Sequence, residues 1–298
     1  GLRLGTSSWN YPGWAGLVWE REYAESALSR HGLAAYAQHP LFRTVSLDRS
    51  FYQPLSAAQF AAYAAQVPED FRFVVKAPSL VTDAVVRDES GRGTRPNSEF
   101  LDPAAALRDF VEPALQGLGR KLGALVFQIS PLPPGWLGRM PELTERLHAL
   151  LRAVPALHVE APDGVVAVEV REPKRLTPDF TQALRDTGAT YCMGLHAKMP
   201  RIAEQLPILR ALWPGPLVCR WNLNPLHGAF GYEKARRQYA PYDRIQDPDP
   251  QTRAALARVI AGTVGAGQNA FVTFTNKAEG SAPLSVVALA QAIRDLRR

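Results

Sequence analysis

Cysteine is scarce in this chain, because its 298 residues include only Cys192 and Cys219. The two lie far apart in the sequence, so they form no CxxC pair of the kind that binds zinc or exchanges a disulfide. Each lies in an apolar run, which is typical of a buried, reduced thiol. We therefore expect two core thiols and no disulfide scaffold.

Long apolar runs are missing too. No window approaches the roughly 18 consecutive apolar residues that a membrane helix needs. Residues 1–5 read GLRLG, which is too short and too polar for the apolar core of a signal peptide. These absences predict a cytoplasmic protein without membrane contact.

Three glycine-containing motifs are absent as well. No GxGxxG follows any apolar run, no GxxxxGK[ST] loop occurs, and no GxSxG is present. These absences argue against a dinucleotide-binding sheet, a P-loop and a nucleophile elbow. We therefore predict no tightly bound cofactor.

Charge is only mildly unbalanced. Lys and Arg outnumber Asp and Glu by 34 to 28, and the formal net charge is +6. The excess favours an anionic partner, either a phosphorylated metabolite or a nucleic acid. The positive residues are scattered, with no long basic block of the kind found in nucleic-acid-binding arms. The oligomeric state is left open by the sequence.

Short β-rich apolar runs alternate with segments of helical spacing, which predicts a parallel sheet. The predicted strands are Leu2–Thr6, Thr44–Leu47, Phe71–Val75, Ala124–Phe127, Val165–Val170, Thr190–Leu195, Leu217–Trp221 and Ala270–Phe274. The predicted helices are Ala24–Gln38, Ser56–Gln66, Pro103–Leu118, Pro141–Val154, Thr177–Thr187, Ile202–Leu212, Gln251–Val264 and Ser285–Leu296. Eight such alternations favour closure into a single-domain (β/α)8 TIM barrel over residues 1–298. A long loop, 78–102, is predicted over its C-terminal face, where it could act as a lid.

Helix boundaries carry recognisable signals. Asp102, Thr177 and Asp249 each precede a proline, so each combines a capping side chain with a first-turn Pro. Gly119 and Gly188 lie just after predicted helix ends, where a left-handed residue is favoured. These signals support the predicted order of elements.

Polar residues stand where each predicted strand ends. In a barrel, these ends and the loops after them carry the chemistry. In chain order they are Ser7-Ser8-Trp9, Asp48, Lys76, Gln128, Glu169 with Arg171, His196, Arg220 with Asn222, and Asn276. A convergent set with Lys, Glu, His and two Arg indicates a ligand site.

Three of these residues are the catalytic candidates. Glu169 lies in the apolar run VVAVEVR, so we expect it to pair with a Lys or Arg from a neighbouring strand, as a structural ion pair or as a functional group. Lys76 either binds an anion, acts as a base, forms a Schiff base, or pairs with Glu169 or Asp48. His196 is either a hydrogen-bonded structural residue or a general acid or base.

Other chemistries fit poorly. Only Asp48, Glu169 and His196 are candidate metal ligands at the strand ends, so no multinuclear metal site is supported and no metal is predicted. The fourth and seventh strands end in Gln128 and Arg220 instead of the two carboxylates that a retaining glycosidase needs. After the eighth strand, Gly280 and Ser281 precede the last helix and resemble a phosphate-binding nest.

Several motifs resemble one family. Residues 5–16 read GTSSWNYPGWAG and are similar to the opening GTSGWxYxxWxG of the YecE-like proteins, also called domain of unknown function 72. SFY at 50–52, FRFVVKAP at 71–78, VEVR at 168–171 and FTN at 274–276 continue the resemblance in order. Asp48 is a departure, since the family has Asn there. The resemblance implies a TIM barrel and supplies no activity.

These observations leave three hypotheses. The first is a metal-independent isomerase, lyase or hydrolase that acts on a small anionic or phosphorylated sugar-like ligand. The second is a nucleic-acid-binding protein, including an endonuclease-like one, and the third is a non-catalytic ligand-binding barrel. Under the first, the catalytic residues are Lys76, Glu169 and His196, and the ligand-binding residues are Trp9, Asp48, Tyr52, Gln128, Arg171, Arg220, Asn276, Gly280 and Ser281.

Overall fold

The computed structural model describes residues 1–296, so the final two residues of the predicted 1–298 domain lie outside the described residues. Its strands are β1 (Leu2–Thr6), β2 (Phe42–Leu47), β3 (Arg72–Lys76), β4 (Val85–Arg87), β5 (Gly93–Pro96), β6 (Leu122–Ile129), β7 (Val165–Val170), β8 (Thr190–Leu195), β9 (Leu217–Trp221) and β10 (Ala270–Phe274). Across these residues, eight parallel strands close in the order β1–β2–β3–β6–β7–β8–β9–β10. The predicted (β/α)8 barrel is confirmed.

Helices of varied length surround and connect the strands. They are α1 (Glu25–Tyr36), α2 (Arg49–Tyr52), α3 (Ala57–Ala64), α4 (Ser79–Thr82), α5 (Pro103–Ala106), α6 (Glu112–Leu118), α7 (Met140–Ala153), α8 (Pro178–Thr187), α9 (Ile202–Ala211), α10 (Tyr232–Tyr239), α11 (Pro250–Gly265) and α12 (Ala282–Asp295). No helix in this described part of the chain combines the length and apolarity needed to cross a membrane.

The predicted capping residues act as caps. Asp102 accepts a hydrogen bond from the Ala105 backbone N–H at 2.7 Å, and Thr177 accepts one from that of Phe180 at 3.2 Å. Asp249 caps α11 in the same way, and Gly188 ends α8 with a φ of 70°. These contacts satisfy backbone groups that a helix end leaves open.

The predicted helix Pro103–Leu118 is interrupted. Residues Leu107–Val111 form a π-helical turn between α5 and α6. Pro113 lies just after this turn, where it cannot donate the backbone hydrogen bond that a continuous α-helix requires of it. Widening the preceding turn accommodates the missing bond and explains the interruption.

A separate apolar layer fills the barrel interior. Its buried members come from six of the strands and are Val74, Ala124, Val126, Ala167, Cys192, Val218 and Phe271. They do not merge with the larger core between strands and helices, which contains Cys219. Both cysteines are buried free thiols, as expected.

Residues 78–102 are more ordered than the predicted loop. They contain α4 and an antiparallel hairpin of β4 and β5. The base of the hairpin is anchored by Asn97, which donates to the carbonyls of Leu80 and Asp83 at 2.7 and 2.8 Å. The hairpin strand Gly93–Pro96 is exposed, and the proposed lid role stays a prediction.

Candidate functional site

The polar residues at the barrel mouth lie directly above the apolar interior layer. Side chains two residues apart on a strand point to the same face. Lys76, Gln128, Glu169 and Arg220 each follow a member of the interior layer by two positions, and so does Gly194. Strand pairing then places Gln128 beside Glu169 and Gly194 beside Arg220. The alternation that builds the core therefore also directs these groups inward.

Glu169 is fully buried and holds the two arginines of the site. Nη1 of Arg220 donates to its Oε2 at 2.7 Å, and Nε of Arg171 lies 2.9 Å from its Oε1. Burial alone would raise the pKa of Glu169, but the charges of Arg171 and Arg220 lower it to about 2. The carboxylate is thus ionised at neutral pH, and the expected pairing with arginine is present.

Gly194 makes room for this carboxylate. A Cβ atom at position 194 would lie 3.1 Å from Oε1 of Glu169, which is tighter than an ordinary contact. Asn222 also donates a hydrogen bond from its Nδ2 to Oε1 of Glu169, at 3.2 Å. A buried carboxylate is tolerated only when such partners satisfy it.

Arg220 is fully engaged through its terminal nitrogens. Nη2 donates to both carboxylate oxygens of Asp48, at 2.9 and 2.8 Å. Besides bonding to Glu169, Nη1 donates to Oε1 of Gln128 at 3.1 Å. Both terminal nitrogens of this guanidinium therefore already donate within the site. Burial would lower the pKa of Arg220, but Asp48 and Glu169 raise it, so the group is a fixed cation.

Arg171 retains hydrogen-bonding capacity. Its Nη2 donates to Oε1 of Gln128 at 2.8 Å and its Nη1 to the hydroxyl of Tyr232 at 2.9 Å. Each Nη carries two hydrogens, so one on each has no partner among residues 1–296. We call Asp48, Gln128, Glu169, Arg171 and Arg220 the arginine network.

Lys76 stands apart from the arginine network although it lies at the same mouth. Its Nζ is 3.7 Å from the centre of the Phe51 ring, and it forms no hydrogen bond or ion pair within the described chain. The expected pairing with Glu169 or Asp48 is not present, because Arg171 and Arg220 bind both carboxylates. Burial lowers the pKa of Lys76 to about 7, with Arg220 and Arg171 acting in the same direction and Asp48 and Glu169 opposing it.

His196 is buried beside the site as a neutral group. Its Nδ1 accepts a hydrogen bond from the Lys198 backbone N–H at 2.9 Å, which assigns the ring proton to Nε2. The ring packs against Tyr232 at 5.1 Å. Burial, followed by the charge of Arg171, lowers the pKa of His196 to about 4. At neutral pH this side chain can donate a hydrogen bond from Nε2.

A cavity of about 570 Å³ lies next to His196. Its wall includes Met199, Ile202, Trp221 and Leu223. Apolar groups dominate this part of the lining, which distinguishes the cavity from the charged mouth. His196 is the predicted site residue that belongs to the lining.

No side-chain hydrogen bond or ion pair within residues 1–296 joins the remaining predicted residues to the arginine network. Trp9 is buried against α1, where its Nε1 donates to the Leu28 carbonyl at 3.1 Å. Tyr52 is 83% exposed and contacts Phe51 edge to face. Neither geometry assigns a ligand-binding role.

The predicted phosphate nest at Gly280 and Ser281 is already filled from within the chain. Gly280 N–H donates to the Asn276 carbonyl at 2.8 Å, and Ala282 N–H donates to Oδ1 of Asn276 at 2.8 Å. The same Oδ1 accepts from Trp14 Nε1 at 3.1 Å. Asn276 therefore occupies the place that a phosphate oxygen would take, and we leave this nest out of the site.

Three contacting residues were missed as site candidates. Tyr232 lies on α10, and its sequence neighbours give no sign that it meets Arg171. Asn222 follows Arg220 and could have been chosen from its strand-end position. Phe51 belongs to the SFY run at 50–52, from which Tyr52 was chosen instead. The motif was the available signal for Phe51.

Metal ligands are not clustered in the described residues. No group of three or more His, Cys, Asp or Glu side chains within 1–296 is arranged to hold a metal ion. Asp48 and Glu169, the carboxylates of the mouth, are both bound by guanidinium groups.

Comparisons with known proteins agree with this architecture. A family model described as "Protein of unknown function DUF72" matches residues 3–298. A search of curated proteins finds no match. The fold is similar to that of a DUF72 family protein from Thermotoga maritima, with 20% identity, coverage of 98% of this chain and 99% of that one, and a TM-score of 0.63.

Two further solved structures are similar. A DUF72 family protein from Enterococcus faecalis has 16% identity, coverage of 99% and 96%, and a TM-score of 0.61. A Thermus thermophilus protein, whose crystal was soaked with ZnCl2, has 17% identity, coverage of 99% and 98%, and a TM-score of 0.51. At these identities the likeness establishes a shared fold and nothing about ligands.

Proposed function

The chain belongs to the DUF72 family, and we propose that its barrel mouth is the site of a metal-independent enzyme that binds a small monoanionic molecule between Lys76 and Arg171. One observation carries the proposal. The mouth contains three basic side chains, Lys76, Arg171 and Arg220, against two carboxylates, Asp48 and Glu169. With Lys76 protonated, one positive charge is left without a counterpart in a partly buried site.

The unpaired positive charge of the mouth favours the binding of one additional anionic group. An uncompensated cation in a partly desolvated site is costly, and a bound anion offsets that cost. Both terminal nitrogens of Arg220 already donate to carboxylates, whereas Arg171 has one unused hydrogen on each Nη and the ammonium of Lys76 has three hydrogens. A carboxylate or a phosphate monoester can accept such bonds from two cations at once.

The same geometry supports the roles that we propose. Glu169 is held ionised by two guanidinium groups and acts as a positioning residue for Arg171 and Arg220. Lys76, with a pKa of about 7, is the group able to take up or release a proton near neutral pH. His196 is neutral there and donates from Nε2. Isomerase, lyase and hydrolase chemistry are all compatible with these roles.

Calorimetric titration with glycolate tests the proposal, because glycolate keeps its single negative charge across the relevant pH range. We expect binding at about pH 6 that weakens by about tenfold for each pH unit above about 7, since the anion favours protonated Lys76. Lys76→Met and Arg171→Met should each abolish measurable binding. A parallel titration with phosphorylated sugars then ranks anionic ligands.

Lys174→Met supplies the matched control for these variants. Lys174 is an exposed lysine that follows β7, and it forms no ion pair among residues 1–296. It should leave glycolate binding unchanged. Equal glycolate affinity in the parent and in Lys76→Met would contradict the proposal, provided that both proteins are folded by circular dichroism.

A nucleic-acid ligand is the second candidate function, and one observation favours it. Tyr52 and Phe230 are 83% and 88% exposed and follow β2 and β9, so they lie on the face where the strands end. Lys198 stacks on Phe230 with its Nζ 4.3 Å from the ring centre. Exposed aromatics beside basic groups can stack bases.

Retention on a single-stranded oligonucleotide at low and high salt distinguishes this candidate. Nucleic-acid binding should weaken steeply with salt and should be lost in Phe230→Ala. Binding of glycolate without any oligonucleotide retention at low salt would remove the nucleic-acid reading.

A further inference from the structure

The Lys76 side chain is positioned as a free amine instead of an ion-pair partner. It ends β3 directly above the interior residue Val74, and it is only partly buried, so a ligand in the mouth can reach its nitrogen. Both oxygens of Asp48 are bound by Arg220, and the oxygens of Glu169 are bound by Arg220 and Arg171. The carboxylate oxygens that could pair with the Lys76 ammonium are therefore already paired with arginine.

Opposing influences act on the charge of this amine. Burial, the largest of them, and the two guanidinium groups favour the neutral form, whereas the charges of Asp48 and Glu169 and the face of Phe51 favour the ammonium form. The resulting pKa of about 7 leaves a large share of neutral amine at neutral pH. An exposed lysine, with an ordinary pKa of about 10.4, is almost entirely protonated there.

We infer that Lys76 condenses with the carbonyl carbon of a small anionic aldehyde or ketone and holds it as an imine. This inference rests on the proposed function, because it uses the same anion site. The neutral nitrogen forms a bond to the carbonyl carbon, and the carbonyl oxygen gains a proton as the nitrogen loses one. The resulting carbinolamine then loses its hydroxyl together with the second proton of the nitrogen as water, and the C=N bond forms.

Arg171 defines the rest of the ligand. Each Nη of Arg171 has one hydrogen that Tyr232 or Gln128 does not use, and a carboxylate or a phosphate can accept from such a donor. Glu169 and Gln128 hold the guanidinium in place. The expected substrate class is therefore an oxo compound with an anionic group close to its carbonyl, such as a 2-oxo acid.

Reductive trapping with glyoxylate tests the inference. Glyoxylate and cyanoborohydride convert an imine into a stable secondary amine, which peptide mass spectrometry locates. At about pH 7 we expect Lys76 to be labelled at least about tenfold faster than the exposed Lys174. Excess glycolate should slow labelling at Lys76 only, and the uncharged aldehyde glycolaldehyde should lose the preference for it.

Two variants keep the outcome interpretable. Lys76→Arg preserves the positive charge but has no nucleophilic amine, so it should lose the dominant adduct. Lys277→Met removes another partly buried lysine of the C-terminal face, whose pKa burial also lowers, and should leave Lys76 labelling intact. Labelling that follows exposure alone would overturn the imine inference.

The two proposals fail in different ways. If the parent binds glycolate but Lys76 is not preferentially trapped, the imine inference is wrong and the anion site stands. If neither glycolate binding nor preferential trapping occurs, both are wrong. Preferential trapping that glycolate cannot slow would support a reactive lysine but contradict the assigned anionic substrate class.

Discussion

The two ends of the barrel both contain arginines gathered around a carboxylate, but they differ in burial. At the end where the strands begin, Asp163 lies 3.1 Å from Arg3 and 2.8 Å from Arg72, and it accepts from Asn269 at 3.1 Å. At the mouth, Glu169 is paired with Arg171 and Arg220 at 2.9 and 2.7 Å. The donor sets are nearly alike.

Access to water separates these two clusters. The Asp163 side chain is 27% exposed, so water screens the excess positive charge of the arginines around it. The Glu169 side chain is 0% exposed. Screened pairs contribute little, and a buried pair becomes costly when one partner is lost. The same ion-pair chemistry can therefore stabilise the fold at one end of the barrel and favour the binding of an anion at the other.

Replacing the central carboxylate gives the largest expected difference between the two ends. Glu169→Gln leaves two buried guanidinium groups around a neutral amide and should lower the free energy of unfolding by about 3–5 kcal/mol. Asp163→Asn makes the matched change where water reaches and should cost about 1 kcal/mol. Urea unfolding measures both. Equal losses would show that the mouth is as well solvated as the other end.

Removing a cation should change stability in opposite directions at the two ends. Lys76→Met deletes an ammonium without a carboxylate partner and should raise the free energy of unfolding by about 1 kcal/mol at about pH 6. Arg72→Met breaks the pair with Asp163 and should lower it by about 1–2 kcal/mol.

The pH dependence identifies the source of the gain from Lys76→Met. The folded pKa of Lys76 is about 7, below an unfolded value of about 10.4, so the unfolded chain binds more protons between these values. The parent should therefore gain stability as pH rises from about 7 to about 10, and the advantage of Lys76→Met should disappear and then reverse within that window. An advantage that is constant with pH would assign it to packing instead.

The strands could be predicted closely where apolar runs end abruptly. Val165–Val170 and Ala270–Phe274 are predicted with the bounds that the structure shows. β6 is longer than predicted, at Leu122–Ile129, because Gln128 continues the ladder beside Glu169 instead of leaving it. The π-helical turn was not foreseen, since one proline inside an amphipathic segment signals either a break or an adjustment.

The location of the mouth could be predicted from the sequence, but which of its cations binds which carboxylate could not. Alternation along the strands placed Lys76, Glu169 and Arg220 at one end of the barrel. Which carboxylate each cation binds depends on long side chains that cross the barrel and on competition between them. Arg220 reaches Asp48 with both oxygens in range, which leaves Lys76 without an acceptor. Neither spacing nor composition carries that information.

A smaller effect is expected from the neutral histidine of the mouth. The folded pKa of His196 is about 4, below an unfolded value of about 6.5, so stability should fall as pH drops through that window. His196→Asn keeps an acceptor for the Lys198 N–H. It should reduce the acid-induced loss of unfolding free energy by about 1 kcal/mol. Unfolding at about pH 7 and at about pH 4.5 measures this loss. The exposed His158, replaced by Asn, is the control and should leave the loss unchanged.

The smallest effect comes from removing one neutral hydrogen-bond partner at each end. Tyr232→Phe deletes the acceptor of Arg171 Nη1, and Asn269→Ala deletes a donor to Asp163. Each should cost about 1 kcal/mol of unfolding free energy. Only Tyr232→Phe should also weaken glycolate binding, by about two- to threefold, because Arg171 is then less firmly positioned. If Asn269→Ala weakened glycolate binding equally, the two ends would be coupled through the barrel. Burial alone would then no longer explain the difference between the Asp163 and Glu169 clusters.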